Sequence, residues 1–196
     1  MLALLLAALT VAQQSFLDRL AAAALQRTQA PHVTYDPAYV RLTYPGGDVR
    51  PDRGVCADVV VRSYRALGID LQRAVHEDMA AHFAAYPKIW KLTKPDTNID
   101  HRRVPNLRVF FERHGVSLPV SRDKADFLPG DIVTLTVAER LPHIAIVSSK
   151  RSASGVPLLV HNIGAGEVLE DALFTYPMTG HYRYFGGIDR DLIAPR

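Results

Sequence analysis

The chain holds one cysteine, Cys56, behind an Arg-Gly turn in the stretch "DRGVCADVVVRSYRALGIDL". Cys56, Val59, Val60, Ser63, Tyr64 and Leu67 recur at the spacing of one helical face, and Gly68 stops the run. The cysteine therefore opens a helix, where unsatisfied N–H groups and the positive dipole end favour thiolate over thiol. Two strand-like runs bring imidazoles that could take its proton: "HIAIVSS" begins with His143, and "VPLLVHNI" carries His161. The polar connection "KRSASG" makes them a hairpin. With the apex at Ser152, His143 lies opposite His161 with Cβ atoms about 5 Å apart. A slip of one residue puts Asn162 in that place instead. Cys56 as nucleophile, His143 as base and His161 as the group that orients the base form a complete triad in logic. Taken singly, each has a blander reading, as an inert buried thiol or a satisfied strand histidine.

The elements that must position these residues follow from periodicity. An Ala/Leu-rich segment from Ser15 to Gln29 reads as a helix ended by Pro31. A helix after Asp70 runs through Val75, Met79 and Phe83 to Pro87, and another starts at Pro105 and closes at Gly115. After "FLPGD" the period turns alternating, with strands expected over 131–137, 143–149, 156–163 and 180–185. Helices first and an antiparallel sheet second define an α+β fold.

The chain's 196 residues and 48% apolar content suit one domain, expected over 13–196. The opening "MLALLLAALTVA" reads as a signal peptide over 1–12, cleaved near Ala12, which implies an exported, periplasmic or secreted protein. In an oxidising compartment a lone thiol has no partner in its own chain, so it is intermolecular or reactive. The net charge of +3 is spread thinly, which argues against nucleic acid as a partner.

Four places, in order along the chain, carry a resemblance: "YPGGD" (Tyr44 to Asp48), the cysteine opening a helix that ends "ALGIDL", "LPGDIVTL" leading to "HIAIV", and "LLVHN". They resemble the NlpC-type cysteine peptidases of bacterial cell walls, which have a papain-like fold. The segment 75–107 is longer than the usual connection and is similar to an uncharacterised bacterial family of that group. The resemblance implies Cys56 as nucleophile, His143 as base, His161 as its orienting partner and Tyr44 as a helper of the oxyanion hole. It also implies a monomeric hydrolase of amide bonds in peptidoglycan that needs no cofactor. The family's usual Asp-Cys-Ser-Gly is here Val55-Cys56-Ala57-Asp58, which leaves a catalytically silent wall-binding module as the alternative. A third reading makes Cys56, His143 and His161 zinc ligands, although the close-spaced ligand pairs typical of metal motifs are absent.

Other charged residues are read both ways. Asp58 stands in the first helical turn, roughly 200° around from Cys56, and could pair with Arg62 four residues on. The cluster Asp100, His101, Arg102 and Arg103, with Asp96, could recognise carboxylates of a wall peptide, or be a solvated loop held by its own ion pairs. Trp90 is expected in the core.

Overall fold

The computed structural model describes residues 9–29 and 31–187. The first helix, α1, spans Val11–Arg27 and starts at a capping box in which Thr10 and Gln13 satisfy each other's backbone N–H groups. Most of the expected leader lies outside the described residues; Val11 and Ala12 form the start of α1. Leu17, Leu20 and Ala24 of α1 are fully buried. Two short parallel strands, β1 (Thr34–Tyr35) and β2 (Arg53–Gly54), close the loop that precedes the cysteine. The helix α2 spans Cys56–Arg65, α3 spans Leu71–Ala81 and α4 spans Val104–His114. Asp70 caps α3 by accepting from the Gln72 N–H, and Pro105 stands in the first turn of α4, where its missing N–H costs nothing. The expected run to Pro87 ends earlier, and Phe83–Ala85 form a separate 3-10 turn.

Six antiparallel strands form the sheet, in the order β3 (Val116–Leu118), β8 (Met178–Arg183), β4 (Ile132–Val137), β5 (Leu141–Arg151), β6 (Pro157–His161), β7 (Val168–Glu170). The α+β reading holds. Ile132, Ile144, Ile146, Val160 and Tyr182 share the main core with the helices. Val133, Leu135, Ala145, Val147 and Leu159 alternate with them and pack under Phe127, Ala172 and Leu173 on the other side. Both faces of the central strands are thus covered, which is why their sequences are apolar almost throughout.

The hairpin register differs from the expected one. Ile146 pairs with Val160 and Val147 with Leu159, which sets His161 opposite Ala145, two positions on from His143. The turn lies over 152–155, where Gly155 donates to the Ser152 carbonyl and Ser152 to Val156. Moving the apex by one residue moves the pairing by two, and a shift of two keeps every side chain on its own face. The two histidines are therefore diagonal neighbours, a separation long side chains can bridge.

Candidate active site

Cys56 is the first residue of α2 and is 4% exposed. The backbone N–H groups of Ile144, Ala57 and Cys56 itself face its sulfur and favour the charged form, yet burial dominates and pushes the thiol up to about 11. The expected preference for thiolate at the helix start is thus outweighed by desolvation. Tyr35, on β1, brings its hydroxyl to the sulfur, and burial together with the nearby thiol pushes that phenol up to about 12.

His143 immediately precedes Ile144, the strand residue whose amide meets the thiol. The His143 and His161 rings pack edge to face with centroids 5.0 Å apart, and His143 Nε2 lies 2.9 Å from His161 Nδ1. Burial, then the neighbouring imidazole, holds His143 down to about 3. His161 is also lowered by burial, against the opposing pull of Glu170, whose Oε2 accepts from His161 Nε2 at 2.9 Å. The resting site therefore pairs a neutral thiol with neutral imidazoles. Asn162 is buried beside them and accepts from the Gly164 N–H through Oδ1, while its Nδ2 has no hydrogen-bond partner among the described residues.

Cys56 and Tyr35 line a cleft of about 510 Å³ with Tyr39, Trp90, Arg103 and Pro142. Trp90 belongs to this wall rather than to the core. The Arg103 guanidinium lies 4.1 Å over its ring, in cation–π geometry. The Arg103 guanidinium nitrogen nearest Asp100 stands 4.0 Å from its carboxylate and has no hydrogen-bond partner among the described residues.

The remaining residues of that charged cluster are structural. Arg102 is buried, fork-bonded to Asp58 at 3.0 Å, and donates to the carbonyls of Ala38 and Asp36. It ties the loop before the cysteine to the start of α2. Asp58 also accepts from the Val55 N–H at 2.7 Å, so its partners are Arg102 and the helix end, not Arg62. Arg62 instead bonds Asp48, Glu167 and the carbonyls of Val49, Arg50 and Arg53. The loop wraps the α2 face that would otherwise meet solvent. Asp100 is 1% exposed and pushed up to about 6 by burial, and buried His101 is held down to about 4.

Tyr44 stands away from the sulfur. It is exposed, and its ring packs on His76 of α3. Tyr35, nine residues earlier, is the tyrosine whose hydroxyl reaches the sulfur. Sequence reasoning also passed over Glu170, which lies on a three-residue strand whose only signal is its place two residues beyond Val168, the partner of His161. Among the described residues, no group of three or more His, Cys, Asp or Glu side chains is arranged to hold a metal ion, and no helix is long and apolar enough to cross a membrane.

Fold and site together define an α+β protein with a helix-borne thiol lining a cleft and a bonded imidazole pair on the hairpin whose first strand meets that thiol. The chain belongs to the family described as Domain of unknown function (DUF1287), which matches residues 21–184. It is 57% identical over 151 residues to "Uncharacterized protein YijF" of Escherichia coli (strain K12), covering 77% of this chain and 74% of that one. It is also similar to the solved structures of NlpC1 and NlpC2 from Trichomonas vaginalis, at 17% and 19% identity and TM-scores of 0.47 and 0.48. These alignments cover 86% and 85% of this chain but 44% and 46% of the other two, so the chain spans less than half their length.

Proposed function

We propose that the chain is a papain-like thiol hydrolase that cleaves an amide bond in the stem peptides of peptidoglycan, acting outside the cytoplasm once its leader is removed. What supports the reading is a thiol at the first position of α2 lining a cleft, together with a hydrogen-bonded imidazole pair on β5 and β6. The NlpC-like motifs of the sequence supply the substrate class.

In this mechanism the Cys56 sulfur attacks the scissile carbonyl as its proton passes to His143. The neutral, raised thiol makes that transfer part of the attack rather than a step completed beforehand. His161 holds the base in orientation. On this reading the Cys56 backbone N–H and the Tyr35 hydroxyl donate to the developing oxyanion. Collapse of the tetrahedral intermediate breaks the C–N bond, and the amine leaves with the proton from His143. Water, deprotonated by the same imidazole, then hydrolyses the thioester and restores the thiol. Arg103, held on Trp90, presents its positive charge to a substrate carboxylate.

The alternative, a silent wall-binding module, draws on the same burial of Cys56. Digestion of purified muropeptides separates the two, with products identified by mass. Cleavage by the wild-type protein and none by Cys56→Ala is the expected result. Intact muropeptides with both, alongside retention on insoluble wall material, would favour the module.

A further inference from the structure

The hydrogen bonds around the two histidines run in one direction, and their far end fixes it. A carboxylate only accepts, so the 2.9 Å contact of Glu170 Oε2 requires His161 to carry its hydrogen on Nε2. A neutral His161 then has only a lone pair on Nδ1. The 2.9 Å contact there requires His143 to donate from Nε2, which leaves the His143 lone pair on Nδ1.

We propose that Glu170 is the positioning residue of the site: its carboxylate selects the tautomer of His161 and, through it, the tautomer of His143 that can accept a proton at Nδ1. The inference deepens the hydrolase reading and rests on it for its catalytic meaning. The geometry supports it in a second way. His143 and His161 are 1% and 0% exposed, whereas the Glu170 side chain is 48% exposed. The chain of three groups thus ends on an acceptor that stays half in water. Register places it there, since Val168 opposes His161 and Glu170 opposes Leu159, so Glu170 is the diagonal neighbour of His161 on the same face.

The test reads tautomers directly. The full chain is labelled with 15N-histidine, and the nitrogen–proton couplings of His143 and His161 are recorded at pH 7.5. Assignment uses the His143→Asn and His161→Asn variants. In the wild type both rings are expected in the Nε2–H form. In Glu170→Leu the His161 pattern is expected to mix or invert and to carry His143 with it, with kcat on muropeptides falling on the order of 10–100-fold. Glu170→Gln, whose amide oxygen can still accept from Nε2–H, is expected to restore the Nε2–H pattern and much of the lost kcat. A wild-type His143 protonated on Nδ1, or a Glu170→Leu variant with both ring patterns unchanged, overturns the proposal. The spectra stand apart from turnover: a wild type that cuts no muropeptide contradicts the hydrolase reading alone, while the tautomers still decide the role of Glu170.

Discussion

Two histidine–carboxylate pairs sit on the same sheet and do different work. In the first, His181 Nε2 lies 2.7 Å from Asp131, and Arg183 bonds both oxygens of that carboxylate at 2.6 and 3.0 Å. His181 stacks on Phe127 with centroids 4.5 Å apart, and Asp131 is wholly buried. That pair is neutralised within the protein and joins β8 to the turn entering β4. In the second, Glu170 has no arginine among its bonded partners and remains half in water, and the far nitrogen of His161 meets another imidazole. A His–acid contact is therefore not in itself a sign of chemistry. What distinguishes the second is that its ring passes the hydrogen bond onward, to a second buried imidazole.

The sharpest way to break the comparison is activity. On the proposed mechanism His143→Ala is expected to lower kcat on muropeptides by about 10³-fold or more, because the proposed base is lost while the fold stays. His181→Ala should leave kcat within a few-fold. Stability should respond the other way. Asp131→Ala leaves Arg183 buried without its carboxylate and should cost about 3–5 kcal/mol in denaturant unfolding. Glu170→Ala should cost under about 1 kcal/mol, as expected for a half-exposed pair. Between these lies Tyr35→Phe, which removes one oxyanion donor and is expected to lower kcat about 10²-fold with little change in KM.

A further effect concerns pH. Burial lowers His143 to about 3 and His101 to about 4, and lowers His161 as well. In the unfolded chain each titrates near 6.5, so below that pH the unfolded state binds more protons than the folded one. The stability these neutral rings allow is therefore complete above about pH 6.5 and is lost as pH falls toward the folded values, at up to about 1.4 kcal/mol per pH unit for each ring. Thermal unfolding from pH 7 to pH 4.5 should show this fall, and His101→Asn should flatten it.

The contrast also explains what was legible in the sequence. The helix carrying Cys56 and the strands carrying His143 and His161 each have a clear period, so residue spacing alone placed them close to correctly. The two-residue register error was harmless because it preserved the face. Tyr35 was hidden because it lies in the irregular segment before the cysteine, where no period reports which tyrosine turns inward, and Tyr44 beside its Gly-Gly turn was the more conspicuous of the two. Glu170 was hidden because β7 is three residues long. The role of Arg102 depends on Asp58, forty-four residues away in sequence, a pairing that only the folded loop creates.

The central physical claim is that His143 serves the Cys56 sulfur, and the single thiol of the chain allows it to be tested without a known substrate. The measurement is the rate of iodoacetamide addition at pH 7, followed by intact mass, for the wild type and His143→Ala. Burial alone would leave the thiol protonated and inert there, so the expected result is wild-type alkylation at least tenfold faster than in the variant. Equal rates in the two proteins, or no addition to either below about pH 8.5, would contradict it.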